Sequence, residues 1–254
     1  MGKVCYIVGM KDMKDKLLKF GEPNAKLKKL VKKLGLKLKT FTLPAGHTCP
    51  AAKDCLSRAD RETGKIQDGP DTQFRCFAAS AEATYPSLRQ MVWSNFELVR
   101  AALKNGADSC ADLIEKSLPK KFDIMRVHVG GDYFNAKYLQ AWIEVAKRNP
   151  DKVFYSYSKS LHLFKQFALP ENLVLTASRG GKYDDLIDLH GWKEAVVVYS
   201  EKEADKLGLE IDHNDSHAAF GKESFALLIH GTQPKGSAAS QALQAIKRKA
   251  KEAV

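Results

Sequence analysis

Short apolar segments alternate with helical segments along most of this chain, and that alternation restricts the folds it can adopt. Six of the segments are rich in aliphatic, β-branched or aromatic residues and are bounded by Gly, Pro, Asn or Ser, which is typical of strands. The predicted strands are 36–43, 124–129, 153–158, 172–178, 195–200 and 225–230. Such alternation predicts βαβ units and a parallel sheet, and right-handed crossovers then leave a doubly wound sheet or a barrel-like arrangement. We therefore expect an α/β fold whose site lies at the carboxyl ends of the strands.

The segments between the strands have helical periodicity, and one further helix precedes the first strand. The predicted helices are 24–35, 82–105, 137–148, 184–189 and 201–207. The first of these has apolar residues at the i, i+3, i+4, i+7 spacing of one helical face, with lysines between them. Asn24 and Gly35 are residue types that begin and end such a helix. Residues 233–240, rich in Gly, Ser and Ala, predict a linker into a basic C-terminal helix.

Positive charge is concentrated at the two ends of the chain. The formal net charge is +11, and residues 11–39 carry eleven lysines against three acidic residues. Residues 247–254 carry four basic residues against one acidic residue, so the body of the chain is close to neutral. Basic ends fit terminal arms that contact a polyanion, for which nucleic acid is the first candidate, better than a uniformly basic binding face. For the helix 24–35 itself, a packed helix with a solvated lysine face is the favoured interpretation, and contact with nucleic acid is the alternative. The candidate contact residues are Lys28, Lys29, Lys32, Lys33, Lys247, Arg248 and Lys249.

Neither a membrane span nor a secretory signal is predicted. The chain has no run of eighteen apolar residues, and its first ten residues lack the apolar stretch and cleavage site of a signal peptide. We expect a cytoplasmic protein with no membrane partner. In that setting, five unevenly spaced cysteines favour metal binding or catalysis over a disulfide framework.

Three of those cysteines follow the first predicted strand. Cys49 and Cys55 share one loop, and Cys76 comes after a polar excursion of about twenty residues. Three thiolates could hold a [4Fe–4S] cluster and leave one iron open to a small molecule. Zinc with His47 as a fourth ligand is the competing metal site, and three unrelated thiols are the alternative to both. Cys110 lies in a stretch that resembles surface sequence, and we assign it no role.

The second predicted strand ends in Gly130, Gly131 and Asp132. Two glycines let a backbone approach a ligand closely, and the Asp132 carboxylate could accept a hydrogen bond from an amine or bind a metal. An ordinary strand-to-helix turn is the alternative. His128, inside the same strand, is expected to be a core histidine hydrogen-bonded to a neighbour.

Two further polar segments contain residue types that could form a site. The fourth predicted strand ends at Ser178 and Arg179, followed by two glycines, which together could hold a carboxylate or phosphate. Residues 212–217 are dense in metal-binding residue types. Because no spacing marks them as a metal site, we expect a capped polar loop there.

The order of these elements resembles the radical S-adenosylmethionine superfamily. The shared order is a strand, a cysteine loop with aromatic Phe77 beside Cys76, a helix, and a strand ending in Gly-Gly-acid. The resemblance implies a partial (β/α)6 barrel around a three-cysteine [4Fe–4S] cluster, and a reductant protein as partner. The implied cluster ligands are Cys49, Cys55 and Cys76. The residues implied to bind S-adenosylmethionine are Gly130, Gly131, Asp132, Ser178 and Arg179. The chain departs from the superfamily in separating its cysteines by five and then twenty residues, and in having Asp132 in place of Glu.

The chain also resembles a phage and plasmid family described as gene product eighty-eight, over about residues 40–235. The resulting prediction has three parts: a basic N-terminal helical arm (1–35), a (β/α)6-like barrel domain (36–235) and a basic C-terminal helix (236–254). The predicted function is an iron–sulfur protein of the radical type that acts on nucleic acid or a nucleotide. The alternative is a nucleic-acid-binding phage or plasmid protein with a structural iron–sulfur or zinc centre and no radical chemistry.

Overall fold

Seven parallel strands form the central sheet of the protein, which a computed structural model describes for residues 16–252. The strands in that range are β1 (Leu38–Phe41), β2 (Ser57–Ala59), β3 (Ile66–Asp68), β4 (Ile124–Val127), β5 (Val153–Ser158), β6 (Leu173–Ser178), β7 (Glu194–Val198), β8 (Glu210–Ile211) and β9 (Phe225–Leu228). The helices are α1 (Ala25–Leu34), α2 (Phe77–Thr84), α3 (Pro86–Leu103), α4 (Ala107–Ser117), α5 (Ala136–Arg148), α6 (Leu161–Phe164), α7 (Asp185–His190), α8 (Glu201–Leu207), α9 (Ser216–Phe220) and α10 (Ala238–Glu252). The sheet order is β1-β4-β5-β6-β7-β9-β8, and β2 and β3 form a separate antiparallel hairpin.

The six predicted strands are all present and lie side by side in the order in which the chain makes them. The short strand β8 lies outside β9, at the edge of the sheet. A doubly wound sheet would reverse its strand order partway across, whereas here the first six strands of the sheet run in one direction. The α/β prediction is confirmed at the level of a parallel sheet that alternates with helices.

The predicted helix 82–105 is in fact two helices, α2 and α3, because Pro86 separates them. Tyr85 has φ −114° and ψ 99°, the extended conformation that a residue before proline prefers. The missing N–H of proline costs nothing in the first turn of a helix, so Pro86 begins α3. The elements that were not predicted are the β2–β3 hairpin, α4, α6, β8 and α9.

One face of the sheet packs against α3, α4 and α5. Met125 and Val127 of β4 point to this side and are fully buried. Trp142 of α5 packs edge-on against Phe41, with the ring centroids 5.4 Å apart. Cys110 of α4 belongs to the same apolar core and is 0% exposed, so its predicted surface position is wrong. The face of α4 that carries Cys110 is buried because it lies against α5.

The opposite face of the sheet is covered at one end by α1. Leu27 of α1 is fully buried among Leu38, Ile124 and Phe225, which begin three of the strands. The predicted caps of this helix are confirmed: the Asn24 side chain accepts a hydrogen bond from the Leu27 N–H at 3.0 Å, and Gly35 ends the helix with φ 67°. The positive φ at this end is a conformation that glycine adopts without strain.

The basic residues named above lie on the surface of the two terminal helices. Their side chains are exposed, on α1 at Lys28, Lys29, Lys32 and Lys33, and on α10 at Lys247, Arg248 and Lys249. The first fifteen residues of the predicted N-terminal arm lie outside the described residues, and the division of the chain at residues 35 and 235 stays a prediction. None of the helices between residues 16 and 252 is long and apolar enough to cross a bilayer.

The packing of α1 generates a test of its attachment to the sheet. Replacing fully buried Leu27 with Ala should lower the free energy of unfolding by about 2–5 kcal/mol, because a cavity is left between α1 and the strands. The matched control Lys28→Ala, one residue along on the exposed face, should change it by less than about 0.5 kcal/mol. Urea unfolding followed by circular dichroism measures both. Equal effects of the two variants would mean that α1 is detached from the sheet in solution.

Candidate functional site

A cavity of about 320 Å³ lies at the carboxyl ends of the strands, on the sheet face that α1 covers at its other end. The predicted site residues come to it from the loop after β1, the start of α2, the turn after β4 and the end of β6. The predicted site residues that line it are Cys49, Cys55, Cys76, Gly130, Gly131, Asp132 and Ser178. The structure thus brings these residues together at one cavity, and their role as a site stays a prediction.

The cysteine loop is held against the end of β6 by backbone hydrogen bonds. The N–H groups of Lys53 and Asp54 both donate to the carbonyl oxygen of Gly180, at 3.3 and 3.0 Å. The loop turns at Gly46, where φ is 69° and a Cβ would lie 2.2 Å from the Ser57 carbonyl oxygen. Only glycine fits that position, so the turn that presents Cys49 to the cavity is fixed by the local sequence.

The three cavity cysteines lie close enough to influence one another electrostatically. Burial raises the pKa of the Cys49 thiol, and nearby Asp132, Cys76 and Cys55 raise it further. Burial, followed by Cys55, raises the pKa of Cys76 to about 12. Burial also raises the pKa of Cys55, which the positive charge of Lys159 opposes. None of these cysteines forms a disulfide. Their thiolates would need a cationic centre to offset the burial and the mutual repulsion.

His47 does not join the cysteines. Its side chain is exposed, its Nε2 lies 3.0 Å from the carbonyl oxygen of Ala59, and its ring packs edge-on against Trp93 at 4.8 Å. The set of three cysteines and His47 is thus not assembled around the cavity. Among residues 16–252, no group of three or more His, Cys, Asp or Glu side chains is spaced to hold a single metal ion.

The two glycines after β4 are required by packing. A Cβ on Gly130 would lie 2.8 Å from the Cβ of Ala78 in α2, and one on Gly131 would lie 2.5 Å from Thr48 Oγ1 in the cysteine loop. Gly131 also has φ 86°, which side chains disfavour. The Gly130 carbonyl oxygen accepts a hydrogen bond from the Leu43 N–H at 2.9 Å. These contacts join the end of β4 to the cysteine loop.

Asp132 ties the same turn to the end of β5. Its Oδ1 accepts hydrogen bonds from the Tyr133 N–H at 2.7 Å and the Ser158 hydroxyl at 2.6 Å, and its Oδ2 accepts one from the Lys159 N–H at 2.8 Å. The side chain is 4% exposed, and burial raises its pKa in spite of these donors. A carboxylate oxygen accepts two hydrogen bonds, so Oδ2 retains one acceptor position beside the cavity.

Ser178 and Arg179 have different surroundings. Ser178 lines the cavity, and its hydroxyl oxygen accepts a hydrogen bond from Lys159 Nζ at 2.9 Å. The Arg179 guanidinium instead forms ion pairs with Asp188, at 2.7 Å, and with Glu194. It is not among the residues that line the cavity. The structure therefore brings Ser178 to the predicted site and leaves Arg179 outside it.

His128 is a buried core histidine, as predicted. Its Nε2 lies 2.9 Å from the Tyr138 hydroxyl, and burial lowers its pKa to about 3. The ring is therefore neutral at physiological pH. Its backbone has φ 70°, an uncommon conformation for a residue with a side chain.

Several cavity residues were not predicted from the sequence. They include Lys26, Arg126, Tyr157 and Asp215. A signal was present for two of them: Arg126 is a charged residue inside an apolar strand, and Asp215 lies in the polar segment 212–217. That segment is the capped loop that was expected, because Asp212 accepts hydrogen bonds from the Asn214 N–H at 2.8 Å and the His217 N–H at 3.1 Å.

The buried carboxyl group of Glu82, in α2, is hydrogen-bonded to the cysteine loop. Its Oε1 accepts a hydrogen bond from the Ala45 N–H at 2.8 Å, while its Oε2 has no partner among the described residues. Glu82 is 1% exposed. Burial raises its pKa from 4.5 to about 7, although the Ala45 N–H and Arg89 act in the opposite direction.

Comparison with known proteins places the chain in a sequence family. Residues 14–250 match the family described as Gene product 88. The chain is also 29% identical over 167 residues to the Gene 88 protein of Mycobacterium phage L5, an alignment that covers 61% of this chain and 62% of that protein. The chain thus spans less than two thirds of the length of this relative. No solved structure matches the chain. Neither sequence match names the radical S-adenosylmethionine superfamily, and that resemblance stays a prediction.

The raised pKa of Glu82 predicts how stability depends on pH. The folded protein binds the Glu82 proton more tightly than the unfolded chain does, so the free energy of unfolding should fall as pH rises from 4.5 towards 7 and then level off. The fall attributable to this group is roughly 3 kcal/mol. Glu82→Gln keeps an acceptor for the Ala45 N–H without the charge, and should be more stable than wild type at about pH 8 and similar to it at about pH 5. Urea unfolding at the two pH values measures this difference, and an equal offset at both would contradict it.

Proposed function

We propose that the chain, which belongs to the Gene product 88 family, is an iron–sulfur protein with radical S-adenosylmethionine-like chemistry. One observation carries the proposal. Three cysteines from two segments, the loop after β1 and the start of α2, line one cavity together with the Gly130–Asp132 turn. Cysteines that only filled space in a core would have no reason to meet at the carboxyl edge of a parallel sheet, where ligands of such sheets bind.

The course of the sheet supports a partial-barrel arrangement. The strands follow each other in chain order from β1 to β7 apart from the separate hairpin, and right-handed crossovers then place the connecting helices on one face. The other face is left as an interior. Arg126, Tyr157, Val197 and Leu227, from four strands, line the cavity from that interior face. This is the position in which a barrel-like protein would hold its substrate.

The donor set suits a cluster. Thiolate is the usual ligand of iron–sulfur clusters, and Cys49, Cys55 and Cys76 would supply three such ligands at one cavity. When bound with S-adenosylmethionine, such a cluster supplies an electron that cleaves the sulfonium group to give an organic radical. Lys159, whose positive charge favours the Cys55 thiolate, also fixes Ser178 at the cavity wall.

The remaining residues would position a cofactor in this cavity. The free acceptor position of Asp132 Oδ2 suits an ammonium group, since the carboxylate is already oriented by three hydrogen bonds. The Ser178 hydroxyl offers a polar contact at the end of β6, two strands away from the Asp132 turn that follows β4. A reductant protein is the expected partner, because the described residues include no second group of cysteines that could pass an electron.

The substrate proposed for this site is a nucleic acid or a nucleotide. One observation favours it: the helix with four exposed lysines, α1, also contributes Asn24 and Lys26 to the cavity. A polyanion bound on that helix would lie near the opening. The alternative proposal, a nucleic-acid-binding protein with a structural iron–sulfur or zinc centre, rests on the same helix without the radical chemistry.

The cluster proposal predicts the metal content of two cysteine variants. Protein purified without oxygen should contain iron and sulfide and absorb visible light at about 400 nm. Cys76→Ala should lose most of that iron, because one ligand is removed. The control Cys110→Ala changes the same residue type in the apolar core, and should keep it.

Metal analysis and the visible spectrum measure this, and incubation with S-adenosylmethionine and dithionite then tests cofactor cleavage. Folded, iron-free wild-type protein would refute the cluster. Iron-loaded protein that leaves the cofactor intact would leave only the structural-centre alternative, and zinc in place of iron would favour that alternative in its zinc form.

The nucleic-acid proposal predicts how salt affects binding. Replacing Lys28, Lys29, Lys32 and Lys33 with Gln should weaken binding to a single-stranded oligonucleotide and flatten the dependence of log K on log salt, since each lost phosphate contact removes about 0.7 from the slope. The control variant removes the same charge from exposed lysines elsewhere, at Lys104, Lys116, Lys120 and Lys121. Fluorescence anisotropy at several salt concentrations measures both. If the two variants behave alike, α1 is a solvated face and not a binding surface.

A further inference from the structure

The interior face of the sheet carries a polar cluster deep in the cavity, beneath the cysteines. Its members come from four elements: Lys26 from α1, Arg126 from β4, Tyr155 and Tyr157 from β5, and Asp215 from the loop before α9. All of them except Tyr155 line the cavity. This cluster, called here the cavity floor, has no part in holding the cysteines.

Positive charge exceeds negative charge on the cavity floor. Asp215 Oδ2 accepts a hydrogen bond from Arg126 Nη1 at 2.7 Å and another from the Tyr155 hydroxyl at 3.1 Å. Lys26 Nζ forms an ion pair with Asp215 Oδ1 at 2.9 Å. One carboxylate thus faces two cations, which leaves the equivalent of one positive charge at the floor. The Arg126 and Asp215 side chains are only 11% and 1% exposed, so water screens the charge of Arg126 weakly, whereas the Lys26 side chain is 34% exposed and is screened more.

Two hydrogen-bond donors on the floor are buried and have no partner among the described residues. They are the Nε–H of Arg126 and the hydroxyl of Tyr157. The two side chains are neighbours, since the Arg126 guanidinium carbon lies 4.9 Å from the centre of the Tyr157 ring. The apolar side chains of Val197, Leu227 and Ile229 line the same cavity and provide no hydrogen-bond acceptor for these donors.

Such an arrangement is costly unless a ligand completes it. A buried donor without an acceptor loses its bonds to water and gains none in return. An excess cation in a cavity with apolar walls is costly for the same reason. A bound group that brings negative charge and acceptor oxygens would satisfy both requirements together, and an arginine with a neighbouring hydroxyl is well suited to carboxylate and phosphate oxygens.

We infer that the cavity floor binds an anionic group of the substrate, a carboxylate or a phosphate, through Arg126 and Tyr157. The inference rests on the proposed function in taking this cavity as the substrate site, and it adds the chemical class of the substrate: a small acid or phosphate ester. The anionic end of the substrate lies on the cavity floor, and the rest of the substrate extends towards the cysteines. Asp215 is the positioning residue, because its Oδ2 accepts a hydrogen bond from Arg126 Nη1 and so orients the guanidinium.

Tyr157→Phe is the variant that tests this without disturbing the fold. It removes a hydroxyl that has no protein partner, so the folded protein loses no hydrogen bond. Tyr85→Phe is the matched control, because it makes the same change at an exposed tyrosine that does not line the cavity. Arg126 is less suitable, since its removal would leave Asp215 buried with one cation fewer.

The probes are succinate, its uncharged analogue succinamide, and inorganic phosphate, titrated calorimetrically into anaerobically purified full-length protein at constant ionic strength. Wild type should bind succinate or phosphate at least about tenfold more tightly than succinamide. Tyr157→Phe should weaken that binding about tenfold, the usual effect of losing one hydrogen bond to a charged group. Tyr85→Phe should change it by no more than about twofold. Preference for succinate assigns the floor to carboxylates, and preference for phosphate assigns it to phosphate esters.

Equal affinity for succinate and succinamide without binding of phosphate would overturn the inference, and so would anion binding that Tyr157→Phe leaves unchanged. Iron is measured in the same preparations, which separates the two proposals. Iron-free protein whose anion binding depends on Tyr157 refutes the cluster and keeps the anion site. Iron-loaded protein that does not bind either anion refutes the anion site and keeps the cluster.

Discussion

The close approach of two glycines to the cysteine loop is the contact on which the cavity depends. Gly130 and Gly131, in the turn after β4, lie at a distance from Ala78 and Thr48 that leaves no room for a Cβ. Because the backbone can come so near, the loop that carries Cys49 is joined to the sheet through the Gly130 carbonyl oxygen. A side chain at either position would push the loop away and open the cavity to water.

Asp132 connects the turn after β4 to the next strand of the sheet, β5. Its carboxylate accepts hydrogen bonds from the end of β5, and Lys159 at that end reaches the end of β6. The backbone of the loop after β6 in turn holds the cysteine loop through Gly180. Three strand ends and one loop therefore form a closed ring of polar contacts around the cavity. The interior groups of that ring are buried and hydrogen-bonded, which favours one arrangement over alternatives.

The cavity has two regions of different chemistry. The cysteines lie at the upper rim, where burial and mutual repulsion hold their thiols protonated in the absence of a cation. The floor has the opposite character, with Arg126 and Lys26 against Asp215. A ligand that spans the cavity would meet the cysteines, whose thiolates need a cationic centre, at one end and the positively charged cavity floor at the other. This polarity gives the site a direction, and it arises because the two regions are built by different elements.

The sequence by itself determined the six main strands of the sheet, the capped helix α1 and the grouping of strand-end residues, since those depend on local periodicity and on chain order in a parallel sheet. It could also have shown the break between α2 and α3, because Pro86 interrupts the helical pattern. Only the tertiary structure decided that Cys110 is buried, that Arg179 is bound to acidic residues outside the cavity, and that Arg126 meets Asp215 across 89 residues of chain. Those outcomes depend on which surfaces pack together, and a local pattern contains no information about the partner that a side chain finds far along the chain.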